Sequence, residues 1–486
     1  MHYKLLQSSL LQVLSGSAIM TVFVFGVGGC ASLPKTDKLS SVKSPLQYQT
    51  SLLLSGTSNN WPTQDWWMEY GDEQLNKLVN QALTNSPDLA IASARLRRAE
   101  AFRKVSDSTT MPQLSASASA TEQKMSYNYL TPKEMTPQGW KDYGQATINL
   151  SWEIDFWGKN RAALAAATSE LDAAHAEQAQ AKISIVTAIV SNYAYLAELY
   201  KVRKTIIEGV AVRKNISKLF LKRYENGLET KAAVSEAKAK EASSDAELLS
   251  IEEQIALQKN TLAAIIGVGP DSGLSIQEPN IKLAENTELP SELALNLLGR
   301  RPDIVASKLI VEANSHKIEQ KKAEFYPNVN LSAFIGVQSL GLNNLAKSGS
   351  DIGGVGPAIS IPIFTAGRLQ AELRSSEASY DEAVANYDKT LTNALTEVSS
   401  AAISQRALAK QIAKAKEVEK ASNDAYRINN NRYKNGVGNY IQVLYAEEIL
   451  LASRRNLATL EARAFALDVA LKKALGGGYK NSKNRS

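Results

Sequence analysis

Four stretches of the chain alternate apolar and polar residues with a period of two. In one, Ala146, Ile148, Leu150, Trp152, Ile154 and Phe156 fall on one face, and Thr147, Asn149, Ser151, Glu153 and Asp155 on the other. After Asn328, Val329, Leu331, Ala333, Ile335 and Val337 oppose Asn330, Ser332 and Gln338. Val355, Ile359, Ile361 and Ile363 oppose Gly356, Ala358 and Ser360, and after Pro112 small residues alternate as Leu114, Ala116, Ala118 and Ala120 against Ser115, Ser117, Ser119 and Thr121. This pattern predicts four strands, each with one apolar face. Strands of about ten residues, apolar outside and polar inside, build membrane barrels. A sheet resting on a soluble core carries the same alternation. Tyr127, Tyr129, Trp140, Tyr143, Phe156 and Trp157 near the strand ends fit an interfacial girdle and equally a soluble rim. Four strands cannot close a barrel, so they need either further copies or a covering layer. Two copies supply eight strands and three supply twelve, and polar inner faces favour the wider barrel with a lumen.

The rest of the chain reads as helix. Lys159–Asn226 is 68 residues free of proline, and Arg368–Asn435 is 68 residues free of proline and glycine. Unbroken, each spans roughly 100 Å. Each ends at Asn-Gly, a helix stop or tight turn. Return helices of 39 residues follow, Leu228–Ile266 and Val437–Leu475. Helices over Asp72–Ser108 and Ser291–Glu324 complete the set, with Pro87-Asp88 and Pro302-Asp303 read as first-turn residues. Long Ala-rich helices pack closely as coiled coils, the architecture also of a filamentous stalk.

The chain is written twice. Pro87 matches Pro302 and Pro112 matches Pro327 at an offset of 215, whereas Gly158/Gly367, Arg223-Tyr224-x-x-Gly227/Arg432-Tyr433-x-x-Gly436 and Gly267/Gly476 match at 209. The six-residue change falls in a loop between Pro112 and Gly158. The resulting division is 1–29 signal peptide, 30–71 lipidated linker and equatorial segment, 72–266 first repeat, 267–290 equatorial connection, 291–475 second repeat and 476–486 tail.

The N-terminus adds a compartment. Lys4 is the only charged residue before Lys35, and an apolar stretch exits through Val27-Gly28-Gly29-Cys30. That is a secretory signal ending like a bacterial lipobox, which leaves a lipid-modified Cys30 at the new N-terminus, palmitate included. Ala31 in place of Asp points to the outer membrane. An uncleaved membrane helix is the plainer reading of the same stretch. After Cys30 no segment reads as apolar enough for a spanning helix of roughly 20 residues, so a crossing must be made by a barrel.

Composition removes most other chemistry. One Cys and three His exclude a disulfide framework and a Cys- or His-based metal site. A net charge of +6 from 55 basic and 49 acidic residues, without a basic block, argues against nucleic acid. His175 and His316 both lie in helical stretches, and adjacent acids such as Glu447 and Glu448 diverge on a helix, so no carboxylates converge for acid–base work. An enzyme is excluded on these grounds, and no cofactor or metal is expected.

Taken together, Cys30, Arg301-Pro302-Asp303-Ile304, Phe325-Tyr326-Pro327, Trp152-Glu153-Ile154-Asp155-x-x-Gly158, Pro362-Ile363-Phe364-x-x-Gly367-Arg368 and the two Arg-Tyr-x-x-Gly turns resemble the TolC/OprM-type outer membrane factors, in the lipoprotein (NodT-like) branch that serves efflux pumps. The resemblance covers nearly all of the chain after Cys30. It implies an α+β membrane protein: a homotrimer whose four strands per protomer form a twelve-strand outer membrane β-barrel, above a long α-helical periplasmic barrel and a mixed equatorial domain. It implies a passive exit duct for small molecules such as drugs, opened by a periplasmic adaptor and an inner membrane pump of the resistance-nodulation-division type. By the same resemblance Gly227, Leu228, Gly436 and Val437 are adaptor-contacting tips, although a glycine there also satisfies turn geometry alone. The family narrows its closed aperture inside the second tip, often with Asp six and nine positions after the glycine. Here those positions hold Gln442 and Tyr445, followed by Glu447 and Glu448, so the acidic ring is absent, shifted, or replaced by a tyrosine constriction. Ile441, Gln442 and Tyr445 are the expected gate. The alternatives are a channel for type I protein secretion, against which the lipobox argues, and a coiled-coil periplasmic lipoprotein that conducts nothing.

Overall fold

Each half of the chain runs through one succession of elements: two helices broken at a proline, two strands, a 67-residue helix and a return helix. The structure, a computed structural model, describes residues 39–44, 47–48, 61–128, 131–282 and 293–480. In chain order the elements are α1 (Glu73–Asn85), α2 (Pro87–Ser108), β1 (Gln113–Gln123), β2 (Lys141–Glu153), α3 (Lys159–Glu225), α4 (Lys231–Ile266), α5 (Leu293–Arg300), α6 (Pro302–Ala323), β3 (Asn328–Leu340), β4 (Asp351–Ser360), α7 (Arg368–Lys434) and α8 (Tyr440–Ala474).

Pro87 and Pro302 divide helices rather than open the expected longer ones. Ser86 is extended (φ −61°, ψ 125°), as steric conflict with a following proline requires, and Pro87 begins a new helix of 22 residues. Pro302 likewise begins α6, also 22 residues. The return helices start three residues later than expected, because Thr230 and Asn439 act as N-caps; their side chains accept from Ala233 N and Ile441 N. Gly209 sits inside α3 without breaking it. A Cβ there would meet Leu451 Cδ1 at 3.1 Å, so the missing side chain lets α8 approach α3 closely.

Among the described residues the chain divides into two compact units, each built from both halves: the first within 1–41, 98–172 and 309–385, the second within 42–97, 173–308 and 386–486. The first holds one antiparallel sheet in the order β1-β2-β3-β4. Its register sets Ala116 beside Ile148, Ile148 beside Ile335 and Ile335 beside Gly353, giving one apolar face. Ser117 beside Thr147, and Ser151 beside Ser332, give the polar face. There Ser117 Oγ and Thr147 Oγ1 lie 3.0 Å apart, and Asn149 Nδ2 donates to both at 3.3 and 3.2 Å. Phe334 is the exception on that face. A Cβ on Gly354 would come within 2.8 Å of its ring, so the glycine lets the ring lie against β4. The apolar face stays open, with Ile335 68% exposed and Leu114, Ile148, Val355 and Ile359 also exposed. Among the described residues β1 and β4 are each paired on one side only.

Two strands end earlier than their alternation suggests. Glu153 is the last residue of β2; Ile154 N still donates to Val329 O at 2.8 Å, but Phe156 is off the ladder, and Asp155 instead accepts the Arg161 backbone N–H at the start of α3. β4 stops at Ser360, opposite Asn328, where β3 itself begins after Pro327, so Ile361 and Ile363 have no strand to pair with. Trp157 stacks on Tyr326 at 4.8 Å and donates its Nε1 to Pro327 O at 2.8 Å, fixing the turn from sheet to helix. Beneath it Ile318, Phe325, Leu369 and Leu373 form the small core of this unit.

The second unit is helical. Trp66, Trp67, Tyr70, Leu75, Val79, Tyr193, Leu262, Ile266 and Phe465 are buried together. Several of its buried polar groups are paired. Asp72 caps α1 through Leu75 N and also accepts from Tyr193 OH at 2.8 Å and Asn280 N at 2.8 Å. Arg301 is held by Asp303, Glu397 and Ala474 O. Lys201–Glu461, Arg454–Glu208 and Arg455–Glu247 tie the helices of the first repeat to α8. One window of α3 is, by length and composition, apolar enough to cross a bilayer, contrary to the sequence expectation. More than half of it is buried in this unit, and Ile185, Val186, Ile189 and Val190 belong to the core just described.

Candidate functional site

The two Arg-Tyr-x-x-Gly motifs fold into the same helix stop. Gly227 has φ 69° and Gly436 φ 75°, the left-handed conformation that a side chain disfavours. Gly227 N donates to Tyr224 O (2.9 Å) and Leu228 N to Arg223 O (2.8 Å); Gly436 N donates to Tyr433 O and Val437 N to Arg432 O, both at 3.0 Å. This is the paired closure of a Schellman motif, which satisfies the last carbonyls of the helix. The Arg and Tyr of the motif thus supply the accepting carbonyls, and the glycine supplies the turn. The apolar residue after such a glycine commonly folds back on its own helix. Here Leu228 is 66% and Val437 68% exposed, so both turns present an apolar residue to the surroundings.

Behind these turns the helices of both repeats share a core of Phe220, Val234, Ala237, Tyr440 and Val443. The Tyr440 ring lies 4.7 Å from Phe220 and 5.1 Å from Tyr433. This packing orients the first turns of α8. Tyr440, Val443, Ala446, Glu447 and Leu450 face inward and are buried, whereas Ile441, Gln442, Tyr445 and Glu448 face outward. The three expected gate residues therefore share one exposed helix face, with Tyr445 70% exposed. Ile441 and Tyr445 also border a groove of about 340 Å³ with Arg213, Phe220, Lys240 and Tyr440.

The adjacent acids part company. Glu448 is exposed, but Glu447 is only 4% exposed and its Oε1 has no hydrogen-bond partner. Burial lifts the Glu447 carboxyl to about 7; Arg213 and Lys240 pull it down and Glu448 pushes it up. The Tyr440 hydroxyl is also buried without a partner, and burial raises it further above the ordinary phenol value. Reading by residue type passes over Tyr440 and Arg213, and weighs Glu447 only beside Glu448 as an acid near the aperture. The spacing of Tyr440, Val443, Glu447 and Leu450 already marks Glu447 as an acid on an apolar stripe. Cys30 lies outside the described residues. Among the described residues no cluster of three or more His, Cys, Asp or Glu could hold a metal ion.

Comparison with known proteins gives a consistent result. The model of the outer membrane efflux protein family matches residues 78–268 and 293–477. The outer membrane protein VceC of Vibrio cholerae is 47% identical, with a TM-score of 0.82 over 86% of this chain and 100% of that one. The multidrug resistance outer membrane protein MdtQ of Escherichia coli O157:H7 is 29% identical over 463 residues, 93% of this chain and 96% of MdtQ. The CmeC outer membrane channel of Campylobacter jejuni shares the fold at a TM-score of 0.82 and 24% identity, over 93% of this chain and 95% of CmeC.

Proposed function

This chain belongs to the outer membrane efflux protein family, and from that premise we propose that it is the outer membrane exit duct of a tripartite efflux pump for drug-like small molecules, gated at its periplasmic end by Ile441, Gln442 and Tyr445. The protein resides in the outer membrane and extends into the periplasm, with the fold of the trimeric channels. The observation that carries the reading is the sheet: four antiparallel strands with an open apolar face, a hydrogen-bonded polar face and two edges unpaired among the described residues. An open edge and an uncovered apolar face are costly in water, and closing three such sheets into twelve strands removes both. The polar face then lines the lumen. A stalk lipoprotein has no use for such a sheet.

The exposed Leu228 and Val437 support the two turns as contact points for a periplasmic adaptor that carries the duct to an inner membrane pump of the resistance-nodulation-division type. Acylation of Cys30 adds a second hold on the outer membrane. The chain performs no catalysis; its work is to conduct. The side chain of Tyr445 projects from an exposed helix face, where three symmetry copies narrow an axial opening by bulk rather than by charge. The test is conductance of the purified trimer in planar bilayers. A small closed-state conductance that Tyr445→Ala raises, together with greater sensitivity of cells to large antibiotics, is the expected result. Unchanged conductance and sensitivity in Tyr445→Ala refute the gate assignment, and no conductance from a folded wild-type trimer refutes the duct.

A further inference from the structure

The duct makes no use of Glu447. It sits on the inward face of α8, two residues beyond Tyr445 and seven beyond Tyr440, in a shell of Val443, Ala446 and Leu450. A carboxylate so placed is costly when ionised unless it is paired. The charged groups that act on it are Arg213 from α3, Lys240 from α4 and, from the outward face of α8 itself, Glu448; the Tyr440 and Tyr426 hydroxyls, the latter from α7, interact with its charge. Both cations lower its pKa, but neither forms an ion pair with it: Arg213 Nη1 donates to Ser244 Oγ at 3.0 Å, and Lys240 Nζ lies 3.6 Å from Glu236 Oε1. The Glu447 Oε1 and Tyr440 OH are both left without hydrogen-bond partners.

We infer that Glu447 is a proton-binding site that holds the periplasmic end shut while protonated and favours its opening when it ionises. The inference rests on the reading of Ile441, Gln442 and Tyr445 as the gate. Glu447 and the gate residues occupy opposite faces of the same two turns, so any movement of α8 that hydrates Glu447 also displaces Tyr445. The sign follows from linkage. Burial in this structure raises the carboxyl from its ordinary 4.5 to about 7, so a form that buries Glu447, taken in this proposal as the closed one, binds the proton more tightly than an open form that hydrates it. The advantage of the closed form is complete below 4.5 and is lost as pH rises through about 7. With those two values, raising pH from 6 to 8 shifts the equilibrium toward opening by about tenfold per protomer.

Conductance of the intact trimer in planar bilayers at pH 6 and pH 8 tests this, with Glu447→Gln, Glu447→Leu, Glu417→Gln and Tyr445→Ala measured alongside. Wild type is expected to open at least about tenfold more often at pH 8. Glu447→Gln and Glu447→Leu, which mimic the protonated form, stay at the pH 6 level at both values, and Glu417→Gln, at an exposed carboxylate elsewhere, follows wild type. A flat wild-type profile, or a rise that survives in both Glu447 variants, overturns the proposal. Tyr445→Ala separates the two readings. If it conducts more at both pH values while wild type is flat, the gate stands and the proton site falls. If it matches wild type while the Glu447 variants abolish the rise, the proton site stands and the constriction lies elsewhere.

Discussion

The two faces of the sheet make opposite demands on a charge, and two nearby positions of β3 allow a direct comparison. Ile335 lies near the middle of β3, pairs with Ile148 and Gly353, and projects from the open apolar face. Ser332 lies three residues away on the polar face, beside Ser151. If the apolar face meets lipid, Ile335→Arg puts a guanidinium near the bilayer midplane at about 2–4 kcal/mol per protomer. Three copies in one barrel multiply that to roughly 6–12 kcal/mol for the assembly. Ser332→Arg keeps its charge in a water-filled lumen, so its cost is small and its effect falls on ion selectivity. The assay is retention of the trimer on heating in lipid vesicles, followed by reversal potential in bilayers under a salt gradient. Ile335→Arg is expected to lower the trimer's melting temperature sharply, or to prevent assembly. Ser332→Arg assembles normally and shifts selectivity toward anions. Equal destabilisation by the two, or a larger loss from Ser332→Arg, refutes the assignment of faces and with it the barrel.

Two other changes probe the tip and the helical unit. Leu228→Asp and Val437→Asp leave the Schellman closure intact, since it uses only backbone atoms, but replace the exposed apolar residue with a charge. The trimer should stay stable while drug resistance in cells, and photocrosslinking of an adaptor from these sites, fall together; resistance at wild-type level in the double variant counts against tip docking. Arg301→Ala strands Asp303 and Glu397 and leaves Ala474 O without this donor, so the protein should lose about 3 kcal/mol in chemical denaturation. A change under about 1 kcal/mol would mean the network does little more than an exposed ion pair.

The faces of the sheet are legible in the sequence because a strand's side chains alternate whatever lies around it. The ends of the strands are not, because pairing depends on a partner. Ile154 and Phe156 continue the alternation of β2, but Asp155 is taken by the first turn of α3, and β4 ends where β3 begins. The 67-residue helices are legible from missing prolines and from the closing Asn-Gly. Gly209 within α3 shows that a glycine is no obstacle when the neighbouring helix fills its space. Pro87 and Pro302 are plain in the sequence, but each opens a new helix instead of sitting in the first turn of a longer one. At the tip, the shared exposed face of Ile441, Gln442 and Tyr445 follows from helical spacing. Which face of α8 is buried also depends on Tyr440 and Val443 packing with Phe220, Val234 and Tyr426 from three other helices, which no local pattern reveals.

That burial bears on how the aperture can respond to ions. Three arrangements were open for the acids after the second tip: absent, shifted, or replaced by tyrosine. Glu447 points inward, so only Glu448 of the pair reaches water, on the same face as Tyr445. Divalent cations bind oxygen ligands that converge. A ring of Tyr445 phenols offers no charge, and one Glu448 from each of three protomers supplies a ring only if α8 brings it to the axis. If Tyr445 closes the aperture, millimolar Mg²⁺ leaves the conductance of the trimer unchanged, while pH alters it through Glu447. If Mg²⁺ blocks conductance and Glu448→Gln removes the block, the acidic ring has moved to Glu448 and the constriction is electrostatic. Block that persists in Glu448→Gln would contradict both arrangements, because no other carboxylate among the first turns of α8 is exposed. The protein would then sense protons from behind the helix and ions, if at all, from in front of it. In a family that often places acids at the aperture itself, these two responses become separable by single substitutions.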